Sequence, residues 1–173
     1  ALREAWLGDT VLVTNGTYSP ASQVYVDKGV IIRGVNGAGA TTVDGSLVHR
    51  CFDLAHSNAT VSGFTMTRGM EARGGGLYIQ ANGTVSNCII AGNIASDTAK
   101  ARGGGVYLDG GGLLADSVVR SNSFRDSTYG EGAAAYLYQG GTISNCLIQY
   151  NWATNAGSAK AGGLYFRSGG QAQ

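Results

Sequence analysis

Charge is scarce in this chain. Asp, Glu, Lys and Arg make up 13% of its 173 residues, about half the ~25% usual for a soluble globular domain. The net charge is +1, which leaves no basic surface for nucleic acid or an anionic membrane, so no nucleic-acid partner is expected. No apolar run reaches the roughly 18 residues of a membrane-spanning helix, so no membrane insertion is expected either. The one proline, Pro20, argues against collagen and Pro-rich linkers. The three cysteines, Cys51, Cys88 and Cys146, are odd in number and too widely spaced for a disulfide framework or a zinc site. They read as small buried side chains. His49 and His56 have no Cys, Asp or His at ligand spacing and read as loop residues.

What the chain does have is glycine, 29 residues of it, or about 17% against the usual ~7%. The glycines punctuate short runs of β-branched and apolar residues, a pattern of many strands joined by tight turns. They also repeat. Gly74-Gly75-Gly76-Leu77-Tyr78-Ile79 returns 29 residues later as Gly103 to Leu108, then as Gly132 to Leu137, then as Ala161 to Phe166. Tyr78, Tyr107, Tyr136 and Tyr165 therefore form one column. Val85 to Asn93 matches Leu114 to Asn122 and Ile143 to Asn151 without a gap. Val61 to Gly69 fits the same frame 24 residues upstream, and Ile32 precedes Val61 by 29.

Repeats of paired helices are excluded by the glycine triplets, and the ladder of leucine-rich repeats is absent. Short strands that turn at Asn87, Asp116 and Asn145 instead predict an all-β solenoid, a right-handed parallel β-helix of about six coils stacked at ~4.8 Å. Val85, Leu114 and Ile143 should point inward, as should Cys88, Ser117 and Cys146, and Ile90, Val119 and Ile148. Asn and Asp tolerate the left-handed bend. Asn93, Asn122 and Asn151 should stack as a second polar column. Cys88 and Cys146 lie two coils apart, beyond the ~7 Å that a disulfide spans. Residues 1–173 read as one domain, with the cap and first strand in 1–20, irregular coils in 21–72 and regular repeats in 73–173.

At this point the residues resemble a known family. Gly8-Asp9-Thr10-Val11-Leu12-Val13, Gly16-Thr17-Tyr18, Gly29 to Gly34, Thr42 to Gly45 and Val61 to Met66 are similar, in order, to the opening coils of pectate-lyase-like β-helix proteins. The later glycine triplets, paired with Ile90 to Asn93, Val119 to Asn122 and Ile148 to Asn151, resemble the repeats of polymorphic outer-membrane proteins and large bacterial surface β-helix proteins. The resemblance implies a secreted or cell-surface location. It also implies a capping helix before the first strand, of which Leu2 to Leu7 looks like a remnant. The C-terminal coil shows no cap, so a longer protein or an end-to-end contact is expected there.

The superfamily holds lyases, hydrolases and adhesins, so the fold alone does not choose among them. A lyase would need clustered carboxylates around calcium and a basic residue beside a uronate; a hydrolase would need facing carboxylates. The acidic residues are scattered, and the catalytic motifs of the enzymatic relatives are missing. The best catalytic candidates are Asp116 with Arg120, and Asp126 with Arg125, although Asp116 sits in a column of bend residues. No cofactor is expected, calcium entering only with the lyase alternative. The column Arg73, Arg102, Glu131 and Lys160 reads as exposed ion pairs of ~0–1 kcal/mol. The tyrosine column reads as structural stacking rather than a sugar platform.

The loops 94–102, 123–131 and 152–161 hold equal positions in successive coils and should emerge side by side. Such loop faces carry binding in repeat proteins. Candidate ligand-binding residues there are Lys100, Arg125, Tyr129 and Trp152. The expectation is a surface module with a structural, adhesive or glycan-binding role, its partner a polysaccharide or surface glycan. The alternative is a polysaccharide lyase or glycoside hydrolase. Ice binding is disfavoured because Leu113 interrupts the column of Thr84 and Thr142.

Overall fold

The computed structural model describes residues 2–125, 127–153 and 156–173. Three parallel sheets form the walls of a β-solenoid. The first sheet stacks Thr10–Val13, Ile31–Gly34, Thr60–Ser62, Thr84–Ser86, Leu113–Ala115, Thr142–Ser144 and Gln171–Ala172. The second stacks Gly16–Tyr18, Thr41–Asp44, Thr65–Thr67, Ile89–Ala91, Val118–Arg120 and Leu147–Gln149. The third stacks Val24–Val26, Phe52–Leu54, Leu77–Ile79, Val106–Asp109, Ala135–Tyr138 and Leu164–Phe166. The rod makes about five turns, slightly fewer than the six coils expected. The expected capping helix is reduced to a single 3₁₀ turn, Leu2–Glu4. Leu2 and Ala5 pack against the core from that end.

Period-2 alternation sends one face of each strand inward. Val61, Val85 and Leu114 are fully buried in the first sheet, as are Met66, Ile90 and Val119 in the second and Leu54, Leu77, Ile79 and Leu108 in the third. Cys88 and Ser117 are buried below them and Cys146 half-buried; all three cysteines are free. Strand pairing keeps the 29-residue period, as in Leu77↔Val106↔Ala135↔Leu164. The shorter coil is also in register, Val61 facing Val85 and Ile90 facing Met66.

Two columns of bends hold this register. Asn87, Asp116 and Asn145 adopt φ of 53°, 48° and 50°, the left-handed conformation that Asn and Asp tolerate better than other side chains. Gly74, Gly103 and Gly132, with φ of 62°, 64° and 67°, turn the chain into the third sheet. A Cβ at any of the three would overlap the carbonyl oxygen of Leu77, Val106 or Ala135.

The asparagine column is a buried ladder. Asn122 donates from Nδ2 to Asn151 Oδ1 and to the Ile90 carbonyl, both at 3.0 Å. Its own Oδ1 accepts from the backbone N–H and Nδ2 of Asn93, both again at 3.0 Å. Asn93 in turn donates to the Met66 carbonyl and accepts from the Gly69 N–H. Replacing Asn122 with Ala leaves these groups buried without partners, which costs about 1–3 kcal/mol. The midpoint of urea denaturation should fall accordingly. Asn87→Gly, which keeps the left-handed bend, should leave it nearly unchanged.

Candidate functional site: the side lobe and the tyrosine–arginine face

Between the second and third sheets each regular coil makes a detour. The three segments expected as loops are largely strands. Met70–Glu71, Ile94–Ser96 and Ser123–Arg125 form one small parallel sheet, and Lys100–Arg102, Ser127–Glu131 and Ala156–Lys160 form another. Ala95, Ala101, Phe124 and Ala133 are buried together as a second core, with Ala153 packed on it. The buried middle residues Ala95, Ala101 and Phe124 of three of these strands, with Ala133, thus turn the corner segments into a side lobe.

The candidate ligand-binding residues lie on this lobe. Lys100 and Tyr129 are register partners in adjacent layers. Tyr129 is 50% exposed and Trp152 48%. Trp152 bridges to Ser123, two residues before the exposed Arg125 on the outward face of the same strand. The lobe thus gathers Trp152 with Arg125, and Tyr129 with Lys100. The catalytic candidates are not gathered. Asp116 sits at the bend and accepts a hydrogen bond from Asn145 Nδ2 at 2.6 Å. Arg120 points outward from Val118–Arg120, between Ala91 and Gln149. Asp126 lies outside the described residues. Among the described residues no three His, Cys, Asp or Glu side chains cluster so as to hold a metal ion. No helix in them is long and apolar enough to cross a membrane. His49 is tied to the Arg50 and Pro20 carbonyls.

Beside the lobe, the outer face of the third sheet carries the tyrosines. Tyr107 and Tyr136 are 2% and 0% exposed, and their rings stack with centroids 5.1 Å apart. Tyr78 meets Tyr107 edge-on at 5.0 Å and Tyr165 stacks on Tyr136 at 5.4 Å. The column is therefore a packed stack. What covers it is arginine: Arg50 lies 4.9 Å from the Tyr78 centroid, Arg73 5.9 Å from Tyr107 and Arg102 5.3 Å from Tyr136. A guanidinium over an aromatic face is attracted by its quadrupole, which orders both side chains.

The ion-pair column differs from its expectation as an exposed surface pairing. Glu131 is 4% exposed. Its carboxylate is approached by Arg102 at 3.3 Å, Lys100 at 3.5 Å and Lys160 at 3.8 Å. The three cations surround the buried carboxylate from the neighbouring layers. The sequence reading also did not bring Arg167 to this face, although Asp109, Tyr138 and Arg167 form a legible 29-step column. Arg167 lies 5.8 Å from the Tyr138 centroid, and Asp109 accepts from the Tyr78 hydroxyl at 2.9 Å.

No protein-family model, curated protein or solved structure matches the chain.

Two measurements check this description. Glu131→Gln removes the countercharge of three cations and should cost about 1–3 kcal/mol of unfolding free energy. That is below the ~3–5 kcal/mol of a fully buried pair, because Lys100 and Lys160 can turn to water. Burial, before any other cause, pushes the thiols of Cys51 and Cys88 up to about 12 and about 11 from 9.0. Burial, with Asp109 second, pushes the Tyr107 phenol up to about 12 from 10.0. The unfolded chain releases these protons first, so stability should be full below pH ~9 and decline as pH rises through the window to ~12. Thermal melts across that range would show it.

Proposed function

We propose that this chain is a secreted or cell-surface β-helix module of the pectate-lyase-like kind that binds a glycan at its side lobe without transforming it. The observation that carries this reading is the pairing of exposed aromatic rings with cationic side chains on one ordered lobe. Trp152 and Tyr129 are each about half exposed, while Arg125 and Lys100 stand on the same small sheets. Large aromatic side chains with a polar edge supply rigid, amphipathic contact area at low entropic cost. Their order here comes from the second core beneath them. The likeness of the repeats to bacterial surface β-helix proteins supports the location and an adhesive role. The enzymatic alternative, a polysaccharide lyase or glycoside hydrolase, rests on the fold alone.

A glycan array probed with the chain tests the reading. Binding to a defined set of saccharides is expected, with Trp152→Ala and Tyr129→Ala each weakening it about tenfold or more. Binding that ignores both substitutions would overturn the lobe as the site. New reducing ends or unsaturated uronates released from a polysaccharide panel would overturn the non-catalytic part.

A further inference from the structure

The face between the lobe and the third sheet holds a cleft of about 320 Å³ lined by Arg73, Arg102, Tyr107, Asp109, Tyr138 and Arg167. Its geometry follows from the register. Arg73 and Arg102 bridge each other in adjacent layers where the chain enters the third sheet. Asp109, Tyr138 and Arg167 lie where it leaves that sheet, so guanidiniums stand at both ends of a tyrosine floor. Arg102 is paired with Glu131, which it shares with Lys100 and Lys160. Among the described residues, neither Arg73 nor Arg167 has a carboxylate partner in ion-pair contact. Each instead lies against a tyrosine ring, 5.9 Å and 5.8 Å from its centroid.

One layer further, Arg50 also lies over a tyrosine, Tyr78, but with Asp53 and Glu71 as carboxylate partners. It is only 8% exposed, and its Nε and Nη1 have no hydrogen-bond partner among the described residues. Unmade hydrogen bonds of this kind are rare in native interiors and call for an explanation.

We propose that this cleft is an anion subsite that takes the carboxylate or sulfate group of an acidic saccharide. Arg73 and Arg167 would clasp the oxyanion from the two ends, and the sugar ring would lie against Tyr138. Guanidinium matches the fork of a carboxylate or sulfate in a way that an ammonium does not. Asp109 gives the subsite its selectivity. Its carboxylate, held by the Tyr78 hydroxyl, repels an unbroken polyphosphate but leaves room for one anionic group per sugar. The subsite deepens the glycan-binding reading above, and the two can fail separately.

Equilibrium binding at physiological ionic strength, with dextran sulfate, polygalacturonate, unsulfated dextran, single-stranded DNA and polyglutamate as probes, tests it. Dextran sulfate or polygalacturonate should bind, with dextran weaker by about tenfold or more. Binding of only one of them names sulfate or carboxylate as the preferred group. Arg73→Gln and Arg167→Gln should each weaken that binding by about tenfold. Arg33→Gln, on the exposed face of the first sheet, should leave it unchanged and serves as the control for bulk charge. Equal loss in all three variants, DNA or polyglutamate binding as tight as the acidic glycans, or no binding at all would overturn the subsite. Loss in Trp152→Ala with the arginine variants intact would keep the lobe and discard the cleft. The reverse would keep the cleft and discard the lobe.

Discussion

The molecule depends on parallel stacking in register: every layer must offer its backbone N–H and carbonyl groups at the positions where the next layer needs them. A one-residue slip in a strand would turn its apolar face outward, so each strand must be met by its counterpart and all length variation must be absorbed at corners. The steps between layers show where. Thr60 pairs with Thr84 after 24 residues, whereas Thr84 pairs with Leu113 after 29. The strands of the first and second sheets stay equally spaced in both coils. The extra residues lie between Ala91 and Val106, and they build the strand Lys100–Arg102 of the side lobe. The lobe is thus a product of the register constraint: a corner that lengthens without disturbing the core.

Polar groups inside the rod follow the same logic. An asparagine amide buried in a layered interior must find donors and acceptors in the layers above and below. Asn93, Asn122 and Asn151 do so because the period places each over the next. They therefore satisfy backbone groups at a corner and penalise any other register. Glu131 is a second such case, buried where two cations from the preceding layer and one from the following layer converge. A buried carboxylate is tolerated when it is paired and is costly when it is not. The covering arginines shield the tyrosine stack, and Arg73 also lines the cleft beside it together with Arg167.

Much of the fold was legible before any coordinates. The 29-residue columns told which residues would face inward, where the chain would bend and which asparagines would stack, because in a solenoid sequence period and spatial neighbourhood are the same thing. Val85, Leu114 and Ile143 are buried for that reason. The site was only partly legible. Period placed Lys100 beside Tyr129 and the arginines beside the glycine triplets. It could not tell that the intervening segments would become strands around Phe124, nor that Glu131 would be buried beneath its partners.

The sequence by itself determined the register, the core and the bends, since these depend on neighbours exactly one period away and repetition makes such neighbours visible. Only the tertiary structure decided which outward residues share a surface. Arg73, Tyr107, Asp109 and Arg167 come from three layers and from opposite ends of the third-sheet strands. What brings them together is the direction of the side chains and the height of the lobe beside them. Those depend on packing across several corners at once, which no single column of the repeat records.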